Sequence, residues 1–275
     1  MKFRIDIRKS VPENAEYYYS ESKKAKHKVA GARKALGDTQ KKISELKRRQ
    51  EASVSEYMPE RKRIVKKKWY EKFHWFHSSD NFLVVGGKDA TTNEILVKKY
   101  LDNHDLVFHA DIHGAPFFVV KNPDKKEIPE STLMEVAYAA ASYSKAWKLG
   151  LGSCDVYCVN PGQVSKKAPS GEYLGKGAFM IHGKKQWFRG TRLEMAVGFR
   201  VNDEVEVICG PVGSVESNSS YSVKITSGDR KSGELAKEIK EVILKKTRKD
   251  DAEKIRKIRL EDIQKHIPGG KGRIL

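Results

Sequence analysis

The strongest constraint in the sequence is a repeat of three-and-four spacing. It runs from Ala15 and Tyr18 through Val29, Leu36, Ile43 and Leu46 to Tyr57, and it passes Gly37-Asp38 without losing phase. Such a period of 3.5 makes one stripe on a helix and demands a partner helix along it. Lys and Arg fill most of the positions between, and the stripe itself is rich in Ala, Ser and Thr. A seam so poor in Leu and Ile pairs weakly alone, so a partner helix is expected. Ser10 and Glu13 have the spacing of a capping box, and Pro12 is tolerated in a first turn. Pro59 ends the pattern, and Glu60–Phe73 reads as a shorter, very basic helix. Gly37-Asp38 and the stretch around Ser53–Pro59 both qualify as the apex of a hairpin.

Charge divides the chain in the same place. The formal net charge is +18 over 275 residues. Residues 1–75 carry +12, residues 76–210 are balanced, and residues 211–275 carry +6. A pI near 9.6 points to a polyanionic partner, with nucleic acid the default. The excess lies in the flanks of a neutral centre, as in a globular body with basic appendages. The longest apolar stretches, such as Val136–Ala141, fall far short of the roughly 20 residues of a membrane span, and the first residues have no apolar core of a secretory signal. Three cysteines make no closed disulfide framework, and Cys154 and Cys158 lack the paired spacing of a zinc site. A reduced, cytoplasmic protein with no membrane partner is expected.

From Phe73 onward the texture is that of an α+β, or mixed α/β, domain. Phe82–Val85 reads as a strand closed by Gly86-Gly87, and Asp89 as the cap of a helix through about Leu101. Leu106–Ala110 and Phe117–Lys121 read as strands, and an apolar stripe from Leu133 to Trp147 as a helix. The remainder is mainly β, with strands at Val156–Val159, Ala178–Ile181, Leu193–Val201, Val205–Cys209 and Tyr221–Thr226. Two basic helices, about Ser232–Thr247 and Asp250–His266, precede a Gly-rich tail. The expected division is an arm over 1–73, a body over 74–226 and C-terminal helices over 227–275.

Three segments can carry chemistry. Gly86-Gly87-Lys88-Asp89 puts a glycine turn and a cation ahead of a helix, where a phosphate is favoured, although the longer phosphate-loop pattern is absent. His109, Asp111 and His113 share one face of an extended strand. They suit a zinc or transition-metal ion, packing within the fold, or polar contacts to RNA. Gln163–Tyr173 reads as a loop carrying Lys166, Lys167 and Tyr173, and Lys184 and Lys185 follow on a tight turn beside Trp187 and Phe188. No catalytic triad spacing occurs.

Several long segments, in order, resemble the NFACT family, the group of NEMF, RqcH and archaeal fibronectin-binding-protein-like members. Trp75-Phe-His-Ser-Ser-Asp-Asn-Phe-Leu-Val-Val-Gly-Gly-Lys-Asp89 resembles the opening of its NFACT-R domain. His109-Ala-Asp-Ile-His-Gly-Ala115, Gln163–Leu174 and Phe179-Met-Ile-His-Gly-Lys-Lys185 resemble its later motifs. Ile5–Ala15 with the following Tyr-Tyr-Tyr resembles the start of its coiled-coil segment. Lys88 stands where the family pattern suggests Arg. It keeps the charge and loses the bidentate fork.

The resemblance implies a tRNA-binding factor acting on stalled large ribosomal subunits, with no cofactor and no catalysis of its own. It also implies an NFACT-N portion and a first coiled-coil arm upstream, the arm being the partner helix that the weak seam lacks. The partners it implies are tRNA, large-subunit rRNA and the large subunit, with self-association through the seam as another use of the helix. The expected RNA-contacting residues are Lys88, Asp89, His109, Asp111, His113, Lys121, Lys166, Lys167, Lys184 and Lys185. Two competing readings are a metal-dependent enzyme centred on His109, Asp111 and His113, and a coiled-coil interaction scaffold.

Overall fold

The computed structural model describes residues 4–56, 68–167 and 174–275, with side chains over 47–56 excepted. It divides into two compact units, Met1–Lys66 and Lys67–Leu275.

The first unit is built on one helix, α1 (Val11–Glu56), of 46 residues. Its start is the expected capping box: the Ser10 N–H donates to Glu13 Oε2 at 2.7 Å, and the Glu13 N–H to Ser10 Oγ at 3.4 Å. Asn14 folds the preceding segment onto the first turn, donating to the carbonyls of Asp6, Lys9 and Ser10. The helix runs through Gly37-Asp38, which removes that site as an apex. One glycine costs a helix about 1 kcal/mol, too little to break one this long. Of the other candidate apex, around Ser53–Pro59, residues 53–56 belong to α1 and 57–59 lie outside the described residues. Val29 is 54% exposed, Leu36 61% and Ile43 48%, so the seam has no apolar cover among the described residues.

Of the basic helix expected at Glu60–Phe73, residues 60–67 also lie outside the described set. Lys68–Phe73 is a pair of turns and not a helix, with Glu71 N–H on the Lys68 carbonyl and Phe73 N–H on that of Tyr70. Aromatic packing overrides local propensity there. Tyr70 and Phe73 are buried, and Trp69 stacks on Tyr100 with centroids 4.2 Å apart.

The second unit begins with β1 (His74–His77), β2 (Leu83–Gly86), α2 (Ala90–Tyr100), β3 (Leu106–Ala110) and β4 (Phe117–Val120). Next come α3 (Glu130–Ser142), α4 (Lys145–Lys148), β5 (Ser153–Val159) and a small hairpin of β6 (Val164–Ser165) and β7 (Met180–Ile181). Then follow β8 (Gln186–Arg192), β9 (Glu194–Val201), β10 (Val205–Gly210), α5 (Val212–Asn218) and β11 (Tyr221–Lys231). The described chain closes with α6 (Ser232–Lys246), α7 (Lys249–Arg256), α8 (Leu260–Gln264) and β12 (Lys271–Ile274). The architecture is α+β, with two antiparallel sheets of order β1-β2-β4-β3-β5-β8 and β10-β9-β11-β12. β11 crosses position 226, where the sequence reading set a boundary, and pairs with the last strand.

The alanine-rich α3 joins the main core between the two sheets, where small side chains let Phe108, Phe118, Met195 and Val197 approach it. The opposite face of the six-stranded sheet is buried too. Val107, Phe117, Tyr157 and Val159 lie there beneath Val97 of α2 and Ile181 of β7. Burial on both faces is why Phe117–Val120 reads as an unbroken apolar run.

Two expectations change near the C-terminus. The helix expected at Asp250–His266 is two helices, α7 and α8. Their break turns Ile255 and Ile263 into the core, and Lys240 Nζ takes the carbonyls it exposes, Arg256 at 2.8 Å and Ile258. The Gly-rich tail contains the strand β12, held by the buried Trp147 indole N–H on the Lys271 carbonyl. Among the described residues no helix is long and apolar enough to cross a membrane.

Candidate nucleic-acid interface

A cleft of about 340 Å³ opens where β2, α2, β3 and the loop before β7 converge. Its floor starts at the end of β2. A Cβ on Gly87 would fall 1.9 Å from Asn93 Oδ1, so only glycine lets the strand meet α2 this closely. Asn93 Oδ1 in turn accepts from Phe117 N–H at 3.1 Å and ties α2 to β4. Asp89 caps α2 as its spacing predicts, accepting from Thr92 N–H at 2.8 Å. The amides of Lys88 and Asp89 both donate to Thr92 Oγ1, at 2.8 and 2.9 Å. This capping box puts a carboxylate where an anion at the helix terminus would sit.

The far wall is a clamped loop. Glu94 accepts from Gly177 N–H at 3.0 Å and pairs with Lys98 at 2.6 Å. These donors hold its carboxyl at about 2. Lys166 Nζ donates to the carbonyls of Gly175 and Ala178, at 2.9 and 3.0 Å, and lies over the Phe179 ring. Phe179 then meets Phe117 edge to face, with centroids 5.5 Å apart. Gly177 has a φ of +75°, and a Cβ there would meet Ala90 backbone at 2.6 Å. The loop is thereby pressed onto the first turn of α2.

Two histidines line the cleft as neutral rings. His109 Nε2 lies 3.1 Å from the Ala115 carbonyl, and its Nδ1 3.4 Å from the Tyr157 hydroxyl. Burial pushes His109 down to about 4, with the Ala115 and Ala110 backbone partly opposing it. His74 stacks on Tyr143 at 4.0 Å, and burial, helped by Lys88, pushes it down to about 3. Lys88 itself is lowered by desolvation, partly offset by Asp89.

Of the ten residues expected to contact RNA, Lys88, Asp89, His109 and His113 share this cleft. Asp111 is exposed on the same loop as His113, and the two do not join His109 in a ligand set. His109 has both ring nitrogens engaged within the fold, and no cluster of three metal-ligating side chains occurs among the described residues. Lys166 stands behind the loop wall. Lys185 covers Tyr157 at 4.0 Å, on the edge of the sheet, while Lys167 and Lys184 are exposed. Lys121 is turned inward. Its ammonium binds the buried Asp105, Asp102 at 2.7 Å and the Tyr100 carbonyl at 2.6 Å.

Sequence reasoning missed Lys176, His74, Tyr143 and Phe179, all of which line the cleft. A lysine between two glycines, Gly175-Lys176-Gly177, was the available signal for the first. The part of the expected loop over 168–173, with Tyr173, lies outside the described residues.

Residues 72–183 match the family described as the NFACT protein RNA binding domain. The archaeal Rqc2 homolog aRqcH of Methanocaldococcus jannaschii is 46% identical over 67% of this chain and 28% of its own length. The ribosome quality control complex subunit NEMF homolog of Drosophila melanogaster is 39% identical, over 72% of this chain and 20% of that protein. Human ribosome quality control complex subunit NEMF is 40% identical, over 68% and 17%. The chain thus spans less than a third of the length of these relatives. A solved structure of the C-terminal part of the Streptococcus suis fibronectin/fibrinogen-binding protein shares 19% identity over 66% of this chain and 76% of that one. Its TM-score of 0.37 is too low to support a common fold. With the RNA-binding domain over residues 72–183 and relatives of this kind along two thirds of its length, the chain belongs to the NFACT family.

Proposed function

We propose that this chain is an RNA-binding part of a ribosome quality-control factor, acting in the cytoplasm on stalled large ribosomal subunits and performing no catalysis itself. The observation that carries this reading is a coincidence of position. Every residue lining the cleft falls inside the segment matched by the RNA-binding domain. In this reading the body contacts tRNA or large-subunit rRNA through Lys88, His113 and Lys176 in the cleft and through Lys167, Lys184 and Lys185 beside it. Asp89 and Asp111 accept from ribose hydroxyls. His109 shapes the cleft and Lys166 holds its wall, while α1 adds diffuse attraction to phosphate.

Crosslinking the protein to total cellular RNA, followed by sequencing, tests the partner. Enrichment of tRNA and large-subunit rRNA is the expected result, and indiscriminate recovery would reduce the chain to a generic basic protein. A salt titration tests the mode of binding. With about six phosphate contacts, affinity should fall roughly 10³-fold between 50 and 200 mM salt. A flat response would exclude phosphate-led binding.

A further inference from the structure

Two cavities meet at one wall. The cleft and a neighbouring groove of about 1070 Å³ share His74, Lys88 and Tyr143. Their linings differ in charge. The groove has four cationic side chains against five carboxylates, whereas the cleft has Lys88 and Lys176 against Asp89 alone. A phosphodiester is therefore favoured in the smaller space and not in the larger.

Volume and chemistry narrow the occupant. About 340 Å³ is at the lower end of small-ligand sites, which span roughly 300–1,000 Å³. A double helix cannot enter such a space, whereas one nucleotide can. The partly exposed Phe179, backed by the buried Phe117, gives the recess apolar ring surface, which suits a base that has left its stack. The Lys88 side chain is exposed and makes no ion pair in the described structure. Asp89 partly offsets its charge, which also acts on His74 and His266, both held neutral by burial. Two lysines with Asp89 as the one carboxylate beside them, in a recess lined by aromatic rings, suit an anionic group attached to something flat. The capped terminus of α2 plays no part in this, since the Asp89 carboxylate already sits there and accepts from the Thr92 amide.

We propose that the cleft receives a single unpaired ribonucleotide of the bound RNA. Its base enters against Phe179, and its phosphate lies between Lys88 and Lys176. The inference rests on the RNA-binding reading above and adds the class of RNA feature that is recognised. It predicts that the protein distinguishes RNA by the presence of an unpaired nucleotide and not by duplex sequence.

The test compares three RNAs on the full chain by fluorescence anisotropy: a blunt duplex, and the same duplex with a short 3′ or a short 5′ overhang. At least one overhang should bind about tenfold more tightly than the blunt form, in line with the worth of one stacked base. Phe179→Ala and Lys176→Glu should each abolish that preference. Lys176 is exposed, so its substitution leaves folding intact even if Phe179→Ala does not. Lys184→Ala should weaken all three RNAs alike. Equal affinity for blunt and overhanging RNA would overturn the inference while leaving RNA binding in place. A preference that survives Lys176→Glu and Phe179→Ala would overturn it as well. Failure of all three RNAs to bind would instead remove the RNA-binding reading, and the inference with it.

Discussion

The long helix and the cleft are both cationic, but they hold their charge in opposite ways. α1 carries eleven basic and seven acidic residues along 46 positions, and those described before residue 47 stand almost entirely in water. The cleft has two lysines and one carboxylate beside two histidines that burial keeps neutral. Ions on an open helix are screened within about 10 Å at ordinary salt. Charges that converge on one recess act on a bound group at short range, where screening matters less. On the proposed reading, count governs attraction along the helix, and position governs selection in the cleft. The helix itself contributes only +4 to the +12 of residues 1–75, and residues 61–75 alone contribute +6.

The largest expected effect tests the buried side of this contrast. His74, His109 and His266 stay neutral in the fold down to about 3, 4 and 4, chiefly through burial. In the unfolded chain they protonate near 6.5. Below that pH the unfolded state binds more protons, so stability falls as pH drops from about 6.5 to about 4. Each histidine contributes up to about 1.4 kcal/mol per pH unit. Urea unfolding at a series of pH values reads this directly. Unchanged stability between pH 6.5 and 4.5 would show the three rings to be hydrated.

Lys121→Met should come next, at about 3–5 kcal/mol, because it strands the buried Asp105 carboxylate without its cation. The same variant should bind RNA normally at temperatures where it is folded. Weakened binding by a fully folded Lys121→Met protein would move this lysine back into the interface. The smallest effects belong to the helix. Lys34→Ala, on the exposed face of α1, should change RNA affinity by less than about twofold, since single screened charges are worth little. Lys88→Ala should cost on the order of tenfold, as for a charge-assisted hydrogen bond. Equal losses from the two substitutions would erase the distinction between helix and cleft.

Lys88 and Lys121 show what a sequence can and cannot disclose. Each follows a short apolar strand by one or two positions, and nothing local separates them. β2 and β4 pair antiparallel, with Val84 opposite Val120 and Gly86 opposite Phe118. The two lysines consequently leave the sheet at opposite ends. One end holds Asp102 and Asp105, and the other holds the cleft. That difference is tertiary, so periodicity could place the strands but not assign the lysines.

The same holds for the elements. β3, β4 and β9 were legible because apolar runs and alternation record burial directly. So were the capping boxes at Ser10 and Asp89, which are local hydrogen-bond chemistry. β8 and β12 were not legible, because charged residues and glycines on an edge strand look like a loop. The split between α7 and α8 depends on Lys240, from a different helix, reaching the carbonyls at the break.

The edge formed by β8 has a consequence for solubility. Among the described residues its outer side pairs with no other strand, which makes it a template onto which a second copy could add. The strand is guarded against that. Arg189 and Arg192 project from it exposed, Gly190 turns its backbone to a φ of +59°, and its register against β5 shifts between Cys154 and Val156. Positive charge and a local irregularity are what keep bare strands from recruiting one another. Arg189 stacks on Trp187 while it pairs with Asp155, so this side chain both anchors the edge and repels like edges. Neutralising the arginines of β8 would thus be expected to promote sheet-to-sheet aggregation before any loss of folding.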